Sequence, residues 1–420
     1  MKIALISYEY PPDTAYGGIA TYVEQAARML SERGHYVEVF AGSERRAQSS
    51  DESGILTHRI LEHDPVRFAA PAGDAFAERH RTVRFDVLEG PEYLADARDA
   101  VARVPDIPLV VKLHTPSRML LRLNYYQRSL LRKLRFVAWG LRHGHPTTWG
   151  YAPEIEGHRV DVARRDAIER AHARDADEIA TPSRSLGDTL EAEWGLDRAR
   201  IACVPYPYAP TPALLGIPSG SDTRIVTFIG RLEARKGVLD LAVAIPHVLR
   251  EHPDVVFRFV GATDDALVPG QTMREHLEQR LRYYRSAIEF TGPLAPAAIP
   301  QALATTAVCV LPSLWENFPC VCLEAMAAGR AIVASASGGM REMLADGQAG
   351  HLIPPNNPRR LARSIQSLLA DAGRRRELGA AARERLLAEY APDRIVSLQI
   401  ASYTRAVERR RALGPRIRGV

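Results

Sequence analysis

Short apolar runs alternate with helical patterns in the first half of the chain. Apolar residues repeat with a helical period in stretches such as Ile19–Arg33 and Val160–Ala176. The apolar runs outside these stretches are short, rich in β-branched residues, and end at turn residues. They predict strands at Lys2–Ser7, Val37–Ala41, Phe85–Glu89, Leu109–His114, Glu178–Thr181 and Arg200–Val204. Strands that alternate with helices are typical of a parallel sheet with crossover helices.

The same alternation begins again after residues 206–222, which are rich in proline, glycine and serine and indicate a linker. Strands are predicted at Arg224–Ile229, Val255–Val260, Ala287–Phe290, Ala307–Leu311, Ala331–Ser335 and Gly350–Ile353. The pattern therefore predicts an α/β protein with two Rossmann-like, doubly wound parallel-sheet domains, 1–205 and 223–390. Because such sheets bind ligands at the carboxyl ends of their strands, we expect the domains to face each other across an interdomain cleft.

The C-terminal region adds further helical patterns. Pro358–Ala370 and Arg374–Leu387 predict helices of the second domain, and Ala391–Arg410 predicts one more. We expect residues 391–420 to cross back to the N-terminal domain as a helix and to end in a frayed basic tail.

Composition narrows the class of protein. A chain of 420 residues is too long for one ordinary core. The net charge of +5, carried mostly by arginine, is mild for a nucleic-acid binder, so we expect no nucleic-acid partner. The uncharged stretch Phe290–Trp315 contains four prolines, which disfavours a membrane span. Four cysteines without paired spacing indicate reduced thiols, and we expect a cytoplasmic protein.

Two loops between a strand and a helix have the residues of an anion site. Gly17 and Gly18 follow the first strand, and paired glycines let backbone amides approach a ligand at a helix start. Gly230 ends a strand of the second domain and is followed by Arg231 and Lys236 before the next helix. A glycine, two cations and a helix start together predict a pyrophosphate receptor, although a solvated basic loop is the alternative.

A third segment carries two spaced acids. Glu316 stands in a loop after a buried strand, followed by Asn317, Phe318 and Pro319 at a predicted helix start, and Glu324 lies eight positions later. Over a helix this spacing is about 12 Å, roughly the span from a hexose across a pyrophosphate to a ribose. Carboxyls that far apart do not suit a glycoside hydrolase.

The first domain offers weaker candidates. His114 ends a predicted strand, and Glu89 ends the neighbouring strand, with Tyr93 shortly after it. Asp175 and Asp177 match an Asp-x-Asp metal pattern, but they precede a strand instead of following one, so we expect no metal.

Residues 118–142 contain many basic residues and no acid, and they predict a basic amphipathic helix. Such a helix can contact an anionic membrane surface or receive a charged acceptor. The alternative is a helix packed on the first domain with a solvated basic face.

Together these motifs resemble the retaining glycosyltransferases of family 4, the glycosyl transferases group 1, which have the GT-B architecture. The resemblance covers nearly the whole chain and includes Gly17-Gly18, Gly230-Arg231-Leu232, the Glu316 and Glu324 pair, and Gly338-Gly339. The loop Glu316-Asn317-Phe318-Pro319 departs from relatives that carry glycine after the aromatic residue. The linker also lacks the usual Asn-Gly-Val-Asp.

The resemblance implies a role for each candidate residue. Arg231 and Lys236 would hold the donor diphosphate, Glu324 the ribose, and the backbone around Gly230 and Gly292–Leu294 the nucleotide. The transferred sugar would contact His114 and Glu316, with the backbone of Asn317, Phe318 and Pro319, while the loop at Gly17 and Gly18 would close near the phosphates. Candidate acceptor contacts are Glu89, Tyr93 and Arg118.

The expected function is a metal-independent transfer, with retention, of a hexose from a nucleoside diphosphate sugar to an acceptor hydroxyl. UDP is the favoured carrier, and the acceptor is a glycan, a glycolipid or a small molecule. His114, Arg231, Lys236 and Glu316 would be the catalytic residues, and no cofactor is expected. The alternatives are a nucleotide-sugar epimerase on the same fold and a non-catalytic sugar-nucleotide-binding protein. We expect a cytoplasmic location, with peripheral contact at the inner membrane face as a further possibility.

Overall fold

The chain folds into two compact units, which a computed structural model describes for residues 1–14, 17–52, 54–123, 147–264 and 270–416. Unit 1 contains Met1–Arg122, Thr148–Ala209 and the chain from Ala391 onward. Unit 2 contains Pro210–Tyr390. Each unit is built on its own sheet, as the repeated strand–helix pattern predicts.

Among the described residues, eight strands form the sheet of unit 1, in the order β3-β4-β2-β1-β5-β6-β7-β8. The strands are β1 Lys2–Ser7, β2 Tyr36–Ser43, β3 Gln48–Glu52, β4 Ile55–Leu61, β5 Val87–Pro91, β6 Leu109–Lys112, β7 Glu178–Thr181 and β8 Ile201–Cys203. The helices of the unit are α1 Gly18–Glu32, α2 Ala69–Val83, α3 Arg98–Arg103, α4 Ser117–Leu121, α5 Thr147–Asp175, α6 Arg184–Trp194 and, at the C-terminus, α15 Pro392–Leu413.

The sequence pattern missed β3 and β4. The residues of β3, Gln48–Glu52, are all polar, so neither alternation nor an apolar run marks them as a strand. They form a strand because they pair antiparallel with Ile55–Leu61 at the edge of the sheet. The remaining strand pairs of this sheet are parallel, as the sequence predicts.

The sheet of unit 2 is parallel, in the order β11-β10-β9-β12-β13-β14. The strands are β9 Ile225–Ile229, β10 Val256–Val260, β11 Ile288–Gly292, β12 Val308–Leu311, β13 Ala331–Ser335 and β14 His351–Ile353. The helices are α7 Pro212–Leu215, α8 Val238–Glu251, α9 Met273–Arg280, α10 Ile299–Ala304, α11 Cys320–Ala327, α12 Met340–Met343, α13 Pro358–Ala370 and α14 Ala372–Glu389.

Strand order in each sheet marks the place where a ligand is expected. In unit 2 the chain runs from β9 to β10 on one side and returns to β12 on the other, so the order reverses between β9 and β12. In unit 1 the reversal lies between β1 and β5. Ligands of open α/β sheets bind outside the carboxyl ends of the strands at such a reversal. A ligand site is therefore expected at the loops that follow these four strands.

Residues predicted as the linker, 206–222, have definite structure. Tyr206 and Tyr208 are buried in unit 1, and Pro212–Leu215 forms α7 of unit 2. The division between the units falls after Ala209. The segment is rich in proline and glycine, but its aromatic side chains are buried in unit 1. Composition alone does not reveal this packing.

The expectation of a frayed basic tail is wrong for Arg409, Arg410 and Arg416. Arg410 is only 8% exposed, and both Arg410 and Arg416 bind the carboxylate of Asp177. Arg409 donates to the Asp177 carbonyl at 3.0 Å. The basic residues thus hold α15 on unit 1 through ion pairs that the sequence pattern does not pair. Within the described part of the chain, no helix has both the length and the apolar composition needed to cross a bilayer.

Candidate active site

Two loops meet at the strand-order reversal of unit 2. The loop after β9 and the loop after β12 are joined by a hydrogen bond from the Leu314 amide to the Arg235 carbonyl at 2.8 Å. Gly237 lies against Pro312 with a φ of 74°, and a Cβ at this position would overlap the Pro312 carbonyl. Glycine is therefore required here both for its backbone conformation and for the close approach of the two loops.

The joined loops bring Lys236 and Glu316 together. Lys236 Nζ donates to Glu316 Oε1, and the hydroxyl of Ser313 donates to the same oxygen at 2.9 Å. Burial alone would raise the pKa of Glu316, but Lys236 and Arg235 outweigh it and hold that pKa below its usual value. Glu316, which is 8% exposed, is therefore an ionised carboxylate in a buried position. The two charges that the sequence placed 80 positions apart form one ion pair.

Gly338 and Gly339 hold the backbone of the Glu316 loop in place. The Gly339 amide donates to the Glu316 carbonyl at 2.9 Å. Gly338 has a φ of 62°, and a side chain there would overlap the Glu316 carbonyl. The Gly338-Gly339 motif thus positions the backbone of Glu316.

Arg231 is the more accessible cation of the first loop. Its side chain is 51% exposed and lies 3.5 Å from Glu233 and 3.7 Å from Asp264, distances at which solvent weakens an ion pair. Arg235, in contrast, is 11% exposed and pairs with Glu233 at 2.7 Å. The guanidinium of Arg231 is thus loosely held and can turn to a phosphate.

Three neighbouring strands of unit 2 end in a glycine with positive φ. These are Gly230 after β9, Gly261 after β10 and Gly292 at the end of β11, with φ values of 148°, 143° and 72°. The Gly261 amide donates to the Gly292 carbonyl at 2.9 Å, and the Gly230 amide donates to the Val260 carbonyl at 2.9 Å. Leu294 follows in a half-buried position. A Cβ on Gly261 would overlap the Gly230 carbonyl, whereas no described atom lies within 4 Å of a Cβ on Gly292, so a ligand can approach the backbone at Gly292.

Helix α11 begins one residue later than the sequence predicts. Pro319 is the residue that precedes the helix, which starts at Cys320. Proline has no N–H group, so Pro319 cannot donate to a ligand. The first amides of the helix, at Cys320 and Val321, have no partner within the helix and carry its positive dipole end. Asn317 and Phe318 are buried, and the Phe318 ring packs edge-on against Tyr390 at 5.3 Å.

Glu324 lies within α11 and is half-buried. Burial raises its pKa to about 7. The estimate of about 12 Å between the two glutamates assumed one helix through both residues. That assumption is wrong, because residues 316–319 are not helical. The two acids nevertheless flank the start of the same helix.

In unit 1, His114 lies two residues after the end of β6, at a buried position, and is 6% exposed. Its Nδ1 shares a hydrogen bond of 2.6 Å with the Tyr206 hydroxyl, and its amide donates to Glu92 at 2.7 Å. Burial, with Lys112 nearby, lowers the pKa of His114 well below its usual value. The ring is therefore neutral near pH 7 and can hydrogen-bond a hydroxyl without carrying charge.

Glu89, the predicted acceptor contact, lies among buried polar side chains of unit 1. Glu89 is 3% exposed, and its carboxylate accepts hydrogen bonds from Tyr22 at 2.6 Å and from Tyr403 at 2.9 Å. The Gln399 side chain donates to it at 3.4 Å. Tyr403 and Gln399 belong to α15, so Glu89 links this helix to the sheet. Its carboxylate is engaged within unit 1, which disfavours a direct contact with an acceptor.

Tyr93 lies on the wall of a cavity of about 240 Å³ within unit 1. The cavity is also lined by Tyr8 and Glu9 after β1 and by Asp96 after β5. Gly17 and Gly18 are exposed at the nearby N-terminus of α1, where a Cβ on Gly17 would lie 3.7 Å from a carboxylate oxygen of Glu9. The residue before them, Tyr16, lies outside the described residues.

Arg118, the remaining predicted acceptor contact, is a surface residue of α4 and lies 3.7 Å from Asp166. Most of the predicted basic helix 118–142 falls outside the described residues, so it stays a prediction.

Asp177 of the Asp-x-Asp pattern has a structural role. It is 2% exposed, and besides the two arginines its carboxylate accepts from the Leu109 amide at 2.8 Å. Asp175, its partner in the pattern, is exposed. The pattern thus reflects how α15 is anchored.

Sequence reasoning missed several residues that shape the site. Ser313 and Gly261 were not singled out, although a glycine directly after β10 repeats the position of Gly230 after β9. That repetition was a usable signal. Tyr206 and Asp96 carried no signal, because their roles depend on contacts between distant segments.

Family models match both halves of the chain. Residues 223–371 match the model of glycosyl transferases group 1, and residues 17–207 match a glycosyl transferase 4-like domain. A phosphatidyl-myo-inositol mannosyltransferase of Mycobacterium tuberculosis is 30% identical over 85% of this chain and 84% of its own length. A glycogen synthase of the same species is 24% identical over 99% and 98% of the two chains.

The fold is also that of known glycosyltransferases. A sucrose-phosphate synthase structure from Thermosynechococcus elongatus superposes with a TM-score of 0.74 and 22% identity, covering 97% of this chain and 99% of the other. The chain therefore belongs to the glycosyl transferases of group 1 and has the GT-B fold. It is a glycosyltransferase, as the resemblance of its motifs predicts.

Proposed function

We propose that this enzyme transfers a hexose from a nucleoside diphosphate sugar to an acceptor hydroxyl, with retention at the anomeric carbon and without a metal ion. UDP is the favoured carrier. The observation that carries the proposal is the joining of the β9 and β12 loops by Gly237, which sets Lys236, Glu316 and the start of α11 side by side. Cations and helix amides at one sheet edge suit a diphosphate.

Each part of the donor has a complementary group in this proposal. The diphosphate lies against Arg231, Lys236 and the first amides of α11. The transferred sugar bonds to Glu316, which is ionised and accepts from hydroxyl groups, and the ribose diol bonds to Glu324. The base lies near Gly292 and Leu294. His114 of unit 1, as a neutral imidazole, bonds to the sugar.

Catalysis would come mainly from stabilising the leaving group. Negative charge grows on the diphosphate as the glycosidic bond breaks, so Arg231, Lys236 and the helix amides stabilise the transition state more than the ground state. A phosphate oxygen on the same face accepts the proton of the incoming hydroxyl. The new bond then forms on the face that the diphosphate leaves, which retains the configuration.

A thermal-shift panel of nucleotide sugars tests the donor. A donor present at 100 times its Kd adds about 2.7 kcal/mol to the free energy of unfolding. The true donor should therefore raise the melting temperature more than the other nucleotide sugars of the panel do. Release of the nucleoside diphosphate should then require that donor, and NMR of the product should give the anomeric configuration of the donor. An inverted product, or loss of activity in excess chelator, would contradict retention or metal independence respectively.

Contact of residues 118–142 with a membrane stays a prediction of the sequence. Co-sedimentation of the full chain with anionic vesicles at low salt tests it directly, and protein that stays in the supernatant at low salt would contradict it.

A further inference from the structure

Ser313 is a buried residue of the β12 loop to which the proposed function gives no role. It lies three residues before Glu316 and is 5% exposed. Its hydroxyl donates to Glu316 Oε1 at 2.9 Å, and Lys236 donates to the same oxygen. Two donors on one oxygen of a carboxylate restrict its rotation, because turning the group would break both bonds. The two oxygens of Glu316 are therefore not equivalent.

The second oxygen of Glu316 is accessible. No group of the described residues donates to Oε2, since both bonds of this carboxylate end on Oε1. Oε2 is also not one of the fully enclosed oxygens of the described chain that lack a partner, so it keeps some accessible surface. The side chain of Glu316 is 10% exposed. A hydroxyl group of a ligand can therefore reach Oε2 while Oε1 keeps its bonds.

The main chain around Ser313 is held without the help of its hydroxyl. The Ser337 hydroxyl donates to the Leu314 carbonyl at 2.8 Å, and the Gly339 amide donates to the Glu316 carbonyl at 2.9 Å. The Leu314 amide is bonded to the β9 loop. These three bonds fix the path of the loop. Loss of the Ser313 hydroxyl should therefore affect the carboxylate of Glu316 and leave the backbone in place.

Lys236 does not determine the orientation of the carboxylate as firmly as Ser313 does. Its ammonium has three donors at the end of a flexible chain, and in the proposed function it also binds the diphosphate. Ser313 has a short side chain in the same loop as Glu316, so the backbone fixes where its hydroxyl lies. When the diphosphate attracts Lys236, the bond from Ser313 still holds Oε1.

We propose that Ser313 is a positioning residue for the transferred sugar: its hydroxyl holds Oε1 of Glu316, so that Oε2 accepts a hydrogen bond from a ring hydroxyl of that sugar. The inference rests on the proposed function, because Glu316 contacts the sugar in that reaction. It also predicts selectivity. A sugar without this hydroxyl leaves a carboxylate oxygen unpaired in the complex, which costs binding free energy.

The test compares each nucleotide sugar with its own nucleoside diphosphate. UDP-glucose, UDP-N-acetylglucosamine, GDP-mannose, UDP and GDP are titrated calorimetrically, and the nucleotide sugar that binds best is taken forward with its diphosphate. In Ser313→Ala we expect the Kd of that nucleotide sugar to rise at least about fivefold, because a misdirected carboxylate loses a charge-assisted hydrogen bond. The Kd of the diphosphate should change less than about twofold, since Ser313 does not bond to the groups proposed to bind it.

Ser337→Ala is the matched control. Its hydroxyl holds the same loop through the Leu314 carbonyl and makes no bond to the carboxylate of Glu316. The control should therefore change the binding of both ligands by the same factor. If Ser313→Ala also affects both ligands equally, Ser313 only supports the loop. If it affects neither ligand, the orientation of Glu316 does not depend on Ser313. Either result would overturn the proposal.

Monodeoxy analogues of the chosen nucleotide sugar identify the hydroxyl that bonds to Oε2. In the unchanged protein, we expect one analogue to bind at least about tenfold more weakly than the parent compound. In Ser313→Ala the difference between this analogue and the parent should become smaller, because the two changes remove the same interaction. A difference of the same size in both proteins would contradict the proposal.

Binding to the unchanged protein separates this result from a failure of the proposed function. If none of the nucleotide sugars or diphosphates binds, the proposed function fails. If a nucleotide sugar binds and Ser313→Ala has no selective effect on it, only the inference about Ser313 fails.

Discussion

Glu316 depends on Lys236 for its ionised state, and the two side chains are held in position by one ion pair. The carboxylate is buried, and its pKa stays low because Lys236 and Arg235 are close. A buried ion pair by itself is weak evidence for stability, since desolvation of both charges is costly. In the proposed site the pair holds the ammonium where a diphosphate would bind. The sequence motifs identified both residues as candidates. They could not show that the two side chains form an ion pair, because the residues lie 80 positions apart in the chain.

Removing either cation of the β9 loop should reduce catalysis. We expect Lys236→Ala and Arg231→Ala each to lower kcat/KM by about tenfold or more, which is about 1.4 kcal/mol of transition-state stabilisation. Steady-state release of the nucleoside diphosphate measures this effect. Arg341→Ala is the matched control, because its side chain is 60% exposed and pairs only with Asp346 among the ion pairs described for it. Turnover like that of the control in both variants would remove these cations from the site.

Glu324 should make donor binding depend on pH. Burial raises its pKa to about 7 in the protein without ligand, and the carboxylate is the form that accepts from both hydroxyls of a ribose. Donor affinity should therefore fall as the pH is lowered through about 7 and rise above it. Calorimetric titration of the donor between pH 6 and pH 8 measures this, and Glu324→Gln should abolish the dependence. If donor affinity depended on pH as strongly in the variant as in the unchanged protein, a group other than Glu324 would be responsible for the titration.

At the scale of secondary structure, the site depends on how closely two loops approach. Hydrophobic periodicity predicted β1, β7 and β13 with their observed bounds and the other strands, except β3 and β4, within a few residues. It did not predict β3, which is polar and forms only by pairing with β4. Periodicity also could not show that Gly237 touches Pro312, because such contacts arise from strand order and not from local sequence.

Substitution of Gly237 tests this contact. Gly237→Ala should be destabilising because its φ is 74° and its Cβ would overlap the Pro312 carbonyl. Gly270→Ala is the matched control: its φ is 73°, but no atom of the described residues lies within 4 Å of the added Cβ. The left-handed conformation alone costs about 1–2 kcal/mol in either variant. We expect Gly237→Ala to lose at least ~2 kcal/mol more than the control in denaturant unfolding. Equal losses would mean that the loops can separate without cost.

At the scale of the whole molecule, the C-terminal helix belongs to the first unit of the chain. Its Tyr403 and Gln399 bond to Glu89, and its Arg410 bonds to Asp177, so two buried carboxylates hold this helix on the unit. The family, the two sheets and the cations of unit 2 could be predicted from local patterns. The burial of Glu89 and Asp177 could not be predicted, because buried carboxylates and exposed ones look alike in a sequence.

The two aspartates of the Asp-x-Asp pattern should behave differently. Asp177→Asn leaves Arg410, which is 8% exposed, without its ionised partner, and breaking a buried pair in this way costs about 3–5 kcal/mol. Asp175→Asn changes an exposed residue and should be close to neutral. Thermal unfolding of both variants measures the difference. Equal stability, together with a metal-dependent loss of activity in both, would favour a metal role for the pattern.

A crystal structure of the full chain with UDP would show whether the joined β9 and β12 loops bind the diphosphate. We expect the diphosphate within hydrogen-bond distance of Arg231, Lys236 and the first amides of α11, and the ribose hydroxyls on Glu324. A nucleotide bound elsewhere in unit 2, with Lys236 still paired to Glu316 and remote from the phosphates, would contradict it.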